Sequence, residues 1–308
     1  MPFWGKIQTV THGNLMNSDT KNEDLLQARF RLNMQRISGL TALVLPAEAG
    51  TEALDSEDVR ADLFRAIVVF LHATSEDVLR TAARHRLVDA APKVLENIPL
   101  IGTTKVGRAE KFHLGTLAEH RGKTIDHLIR ESVEDYLIRE SFGSCASVEE
   151  ILRQMGLDTK PFKPLYADLD RMMKRRHRIV HQADLPSPND VSSQPWTLVD
   201  LFQLALWNLA VLAFHALLLV SLDPTDELQR WYFERRVKAI ELFRRSPAEM
   251  VGAATDIATE KHADAESVRV RFRTRVEELM AQVAEQLGPP SQEALLALAQ
   301  RIVAKQTS

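Results

Sequence analysis

One cysteine, Cys145, in 308 residues excludes a disulfide framework and a cysteine-based zinc site. A lone free thiol suits a reducing compartment, and a cytoplasmic location is expected. Glycine (12) and proline (13) are scarce, and strand-like alternation is rare. Long stretches instead keep helical spacing, which predicts an all-α fold. No glycine-rich phosphate loop, Gly-x-Ser-x-Gly turn or Walker-type lysine occurs. Neither sign of charge dominates: 39 Lys and Arg face 42 Asp and Glu, for a net charge of −3. No global basic field advertises nucleic acid, so a site of that kind has to be a local patch. The opening "MPFWGKIQTVTHGNLMNSDTKNED" lacks the basic segment followed by an apolar run that marks a secretory signal.

Long apolar runs are also few. The one that stands out is "LVDLFQLALWNLAVLAFHALLLVSL", residues 198–222, which is long enough to span a bilayer. Asp200, Gln203, Asn208 and His215 interrupt it, and no Lys or Arg flanks it closely. A helix buried all round inside a bundle fits better, and no membrane association is expected. The weaker alternative is membrane association through this segment.

Three segments emerge from patterning. Residues 1–20 read as irregular, 21–225 as an up-and-down helical bundle, and 226–308 as a charged, amphipathic helical extension. Within the bundle, helices are expected from Asn22 to about Leu45, from Asp55 through "SEDVRADLFRAIVVFLHATSEDVLRTAARHRLVDA", and from Thr116 to Phe142. A shorter one opens on a Ser147–Glu150 capping box and stops at Gly156. Pro92 to Gly115 reads as a loop-rich insertion. A helix from about Pro164 ends before "LPSPNDVSSQP", and Thr197 to Asp200 caps the apolar helix. Ser246-Pro247 marks a helix start in the extension, where "VRVRFRTRV" (268–276) fits a strand or a helix, the neighbours favouring helix.

The chemistry concentrates in "RRHRIVHQAD", residues 175–184. An arginine five to seven residues before a histidine means little by itself, because six of the ten histidines have one. The surroundings are what differ here. Arg171, Lys174, Arg175, Arg176 and Arg178 place five cations within eight residues, and no acid lies between Arg171 and His181. Like charges at helical neighbour spacing repel, so the cluster costs stability. Ile179 and Val180 are expected to tie it to the core. His177 and His181, one turn apart, share a face, with Arg176 on an adjacent one. Such a set suits phosphodiester cleavage. The guanidinium can hold a phosphate and stabilise transition-state charge. A histidine, kept neutral by nearby cations, can move a proton to or from the reacting oxygens. No metal or other cofactor is needed. The same residues also fit a solvated basic helix terminus, favoured by the helix dipole.

This stretch, on a helix followed by a break and a strongly apolar helix, resembles the signature of the HEPN family (higher eukaryotes and prokaryotes nucleotide-binding). The likeness is to the bacterial branch of RiboL-PSP type, and it covers about residues 20–225. The family pattern of arginine, a polar residue, a spacer and histidine matches Arg176, His177 and His181. "AIVVFLHATSEDVLR" resembles the family's earlier helix, where Glu76 or Asp77, with Arg80 nearby, would supply a supporting acid. The resemblance implies a bundle that homodimerises, with the two motifs facing each other in a composite cleft. It further implies a metal-independent endoribonuclease of toxin–antitoxin, abortive-infection or antiviral defence systems, with RNA as substrate and an antitoxin or trigger protein as partner. Lys174, Arg175 and Arg178 would draw in the RNA backbone. His-x-Tyr, found after the motif in one subgroup, is missing: the chain has His181-Gln182-Ala183.

A second reading is a non-catalytic module that dimerises and binds a partner protein or nucleotide, with 226–308 as its working surface. Other signals read as structure. His177, His181 and Asp184 lack a further metal ligand at suggestive spacing, and five cations oppose a dication. His215 reads as a hydrogen-bonded core histidine. His120 and His127 read as surface groups. Trp196, Trp207 and Phe214 read as core, and Cys145 as a loop thiol with no activating partner. Glu76 and Asp77 also fit a solvated face or ion pairs with Arg80.

Overall fold

The structure is a computed structural model. It describes residues 18–44, 57–101, 104–105, 108–109, 117–185 and 198–245, with isolated positions beyond. The fold is an all-α helical bundle. Its described helices are α1 (Ser18–Val44), α2 (Glu57–Leu87), α3 (Pro92–Leu95), α4 (Ile125–Arg139), α5 (Cys145–Gln154), α6 (Lys163–Gln182), α7 (Leu198–Leu222) and α8 (Glu227–Arg245). The expected signals at Asp55, Thr197 and Ser246 and the residue Trp196 lie outside the described residues; within 268–276 only Thr274 is described, and it is helical. Two compact units divide the chain: residues 1–75 with 162–308, and residues 76–161.

In the first unit, α1 turns Leu26, Phe30, Met34 and Ile37 inward at three- and four-residue spacing, and α2 adds Phe64, Ile67, Val68 and Leu71. From Leu204 to Leu219, α7 is mostly apolar and mostly buried. By length and composition it could cross a membrane, yet 78% of its most apolar stretch is buried within the fold. Phe162, just before α6, meets Phe214 edge to face at 5.4 Å. Helix α8 packs on α7 through Ala239 and Ile240. Its Arg244 donates to the Pro164 carbonyl at 2.9 Å and to the buried carboxylate of Asp168 at 2.5 Å. The start of the 226–308 segment is thereby fastened to α6.

In the second unit, the end of α2 clamps the end of α4. Arg84 forks onto Glu134, with Nη2 2.8 Å from Oε1. Arg80 donates to the carbonyls of Leu137 and of Glu140, the latter at 2.6 Å. The helix expected over Thr116–Phe142 is broken. Residues 119–124 form a turn in which Gly122 has φ +84°. The Thr124 side chain then caps α4 by accepting from the His127 amide at 3.2 Å. Helix α5 begins earlier than its expected capping box. Ser144 accepts from the Ser147 amide at 3.2 Å, and the Ser144 amide donates to the Ser147 hydroxyl at 3.3 Å. Cys145 is therefore a helical residue. The expected stop at Gly156 holds, in the left-handed region at φ +75°. The Pro92–Gly115 insertion carries α3 and a two-residue antiparallel ribbon, Thr104–Lys105 against Arg108–Ala109.

Candidate active site

Helix α6 carries every residue of the candidate motif, so its faces decide what the motif can do. Leu165, Leu169 and Met172 form its buried stripe at four- and three-residue spacing. Four residues further along the same stripe stands Arg176, where a core side chain is due. Its Nε is shielded from solvent and has no hydrogen-bond partner. Among the described residues Arg176 forms no ion pair either, although a buried N–H without an acceptor costs about 1–3 kcal/mol.

The other cations of the cluster are engaged. Arg171 donates to Asp168 at 2.9 Å. Lys174 pairs with Asp170 at 2.6 Å. Arg175 donates to Asp184 at 2.6 Å, and Arg178 lies 4.0 Å from the same carboxylate. The repulsion expected from the bare run is thus relieved by acids on either side of it. Asp168 and Asp170 lie one turn back, and Asp184 lies just beyond the helix.

His177 and His181 share a face, their ring centroids 4.5 Å apart with the planes tilted by 45°. Both are exposed. Arg176 and His181, five residues apart, stand roughly 140° apart around the helix. Among the described residues no hydrogen bond joins Arg176 to either imidazole. Of the two expected anchors, Ile179 is half-buried, while Val180 is 47% exposed and does not hold the segment. The last turn of α6 runs past the core, and the anchor is the helix stop. Ala183 and Asp184 both take left-handed backbone, at φ +48° and +59°. The Asp184 amide closes onto the Arg178 carbonyl at 3.1 Å. This folds the Asp184 carboxylate inward, where it is 1% exposed and also accepts from Arg65 Nε of α2 at 3.1 Å. Sequence reasoning missed Arg65, because nothing local marks a partner 119 residues away. An acid directly after a basic helix end was the available sign for Asp184.

Glu76, Asp77 and Arg80 belong to the second unit. Glu76 accepts from the Phe142 amide at 3.3 Å, and Arg80 lies 5.0 Å above the Phe142 ring while gripping the end of α4. Asp77 is half-buried and engaged. The Glu76 and Arg80 contacts fasten α4 and the residues just beyond its end. His215 lies in the core, stacked on Phe30 with centroids 3.6 Å apart and planes within 6°. Burial, and secondarily the charge of Arg236, push its pKa down to about 3. Its Nε2 has no hydrogen-bond partner, unlike the expected hydrogen-bonded core histidine. Trp207 and Phe214 are buried in the core. His127 is exposed and lies 3.2 Å from Glu131, whereas His120 is half-buried.

No protein-family model, curated protein or solved structure gives a significant match to the chain.

Proposed function

We propose that the chain is a metal-independent endoribonuclease of the HEPN type, a toxin or anti-phage defence effector of the cytoplasm. The observation that supports it best is Arg176: a guanidinium on the core-facing stripe of α6, unpaired where every neighbouring cation is engaged, beside two exposed imidazoles. A phosphate supplies the acceptor that Arg176 lacks. The 2′-oxygen of a ribose attacks the adjacent phosphorus, and the bond from phosphorus to the 5′-oxygen breaks. A 2′,3′-cyclic phosphate and a 5′-hydroxyl result. Arg176 binds the non-bridging oxygens and stabilises the charge that builds on them. His181 acts as general base toward the 2′-hydroxyl or general acid toward the leaving oxygen, with His177 supporting it or contacting the RNA. The wide angle between Arg176 and His181 favours a site completed by a second copy. Leu25, Leu32 and Leu43, exposed along one line of α1, offer such a copy an apolar surface. An antitoxin or trigger protein would control the activity.

The test is matched induction of wild type, Arg176→Ala and His181→Ala in bacterial cells, with total RNA examined for new ends. Growth arrest with 2′,3′-cyclic ends in wild type alone supports the proposal. Equal toxicity of all three proteins removes it. The second reading, a non-catalytic interaction module, draws on the same exposed leucines. Under it, His181→Ala changes nothing while deletion of 226–308 abolishes function.

A further inference from the structure

We propose that Asp184 is a positioning residue for the anion site: by holding Arg65 and Arg175 on one carboxylate oxygen, it leaves Arg176 as the guanidinium that receives the phosphate. The inference rests on Arg176 as the phosphate ligand and adds what makes that choice selective.

Three observations carry it. First, the stop of α6 is strained. Two consecutive non-glycine residues, Ala183 and Asp184, hold left-handed backbone. Each such residue is unfavourable, and a glycine at position 183 would end the helix without that cost. What the strained turn achieves is burial of the Asp184 carboxylate beside the cluster. Second, the load on that carboxylate is lopsided. Oδ2 accepts both Arg175 Nη2 at 2.6 Å and Arg65 Nε at 3.1 Å. Oδ1 is buried with no hydrogen bond, and Arg178 approaches it only to 4.0 Å. Arg65 and Arg175 are themselves largely buried, 11% and 18% exposed. Third, Arg65 keeps a second, exposed partner in Asp62 at 2.9 Å, whereas Arg175, Arg176 and Arg178 crowd one stretch of α6, so without this carboxylate those three would compete for one phosphate. An anion drawn in by whichever guanidinium reached it first would not sit reproducibly against His181. Misplacement of about 1 Å can cost a hundredfold in rate. Asp184 therefore acts on where the phosphate sits, not on how strongly it is attracted.

That distinction gives a test which a purely structural role would fail. The full chain is compared as wild type, Asp184→Asn, Arg176→Ala, the Asp184→Asn/Arg176→Ala double variant and the Asp184→Asn/Arg175→Gln double variant. Thermal melts report folding. Binding is measured with a 2′-O-methyl oligonucleotide, which cannot be cleaved, and cleavage with the matching RNA. Asp184→Asn should bind the oligonucleotide as tightly as wild type or several-fold tighter, with a steeper salt dependence, while cleavage falls at least tenfold. Arg176→Ala should weaken binding at least tenfold on its own, but less than threefold in the Asp184→Asn background, where Arg175 substitutes for it. The Asp184→Asn/Arg175→Gln variant should recover both cleavage and dependence on Arg176. It also serves if Asp184→Asn alone does not fold, because it removes the guanidinium that lies 2.6 Å from the Asp184 carboxylate. The proposal is overturned if binding and cleavage fall together in the folded Asp184→Asn protein, if Arg176→Ala has the same effect in both backgrounds, or if the folded double variant is no better than the single. Wild type that binds with this pattern but cleaves no RNA would leave Asp184's role standing and remove the ribonuclease. Wild type that does not bind the oligonucleotide removes both.

Discussion

His215→Phe is expected to flatten the acid side of the protein's stability profile. In the folded protein the imidazole stays neutral until about pH 3, whereas in the unfolded chain it takes a proton near its ordinary value of 6.5. Between those limits the unfolded state binds more protons. Stability is therefore complete above pH 6.5 and is lost as the pH falls through the window, at about 1.4 kcal/mol per pH unit. At pH 5 the loss attributable to this one residue is about 2 kcal/mol. Phenylalanine keeps the stack on Phe30, and no hydrogen bond to Nε2 is forfeited. Urea denaturation of both proteins at pH 8, 7, 6 and 5 measures the effect. The stability difference between them should grow steadily in favour of the variant below pH 6.5. Parallel curves would refute the reasoning, since they would mean that His215 protonates alike in both states. The variant also has a practical use: it separates acid unfolding from the proton transfers of catalysis in any pH–activity profile.

Three further outcomes are expected. Arg176→Met should raise the urea midpoint, by about 1–2 kcal/mol in stability, because it keeps an apolar stem and removes the orphan N–H, while RNA cleavage disappears; a destabilised variant would mean that the guanidinium has a partner in the folded protein. Asp168→Asn removes a carboxylate that is 0% exposed and leaves Arg171 and Arg244, 54% and 36% exposed, free to hydrate. Its cost should be about 1–3 kcal/mol, with amide exchange rising first in Glu227–Arg245; uniform acceleration across the bundle would contradict the fastening role. Ser144→Ala should cost about 1 kcal/mol through loss of the α5 cap, read as a lower urea midpoint, and no change would return the cap to another residue.

The all-α class was legible because scarce glycine and proline left long periodic runs undisturbed. The one-turn spacing of His177 and His181 placed them on a common face without any tertiary information. Two errors came from local ambiguity. Ser144 and Ser147 both carry cap-forming chemistry, and spacing alone favoured the later one. The turn over 119–124 depended on Gly122 adopting positive φ, which an isolated glycine in a helical pattern does not announce. The largest omission at the candidate site, Arg65 on Asp184, joins residues far apart in the chain and has no periodic trace. One sign was available and unread: Arg176 continues the 165–169–172 stripe, so the chain itself marks it as an arginine in a core position.

Helix α7 is a core helix with polar atoms buried in it. Neither polar atom of the Asn208 amide has a hydrogen-bond partner, and the same holds for Nε2 of Gln203 and of His215. As packing, these groups weaken the fold. During synthesis the same helix emerges as a span-length apolar segment, open to the machinery that inserts such segments into lipid. Polar side chains in hydrocarbon are expensive, and these lie along the segment's length. The groups that cost the finished core stability also raise the barrier to the wrong destination. Asn208→Leu is accordingly a substitution whose gain in folded stability comes with a stronger pull toward the bilayer.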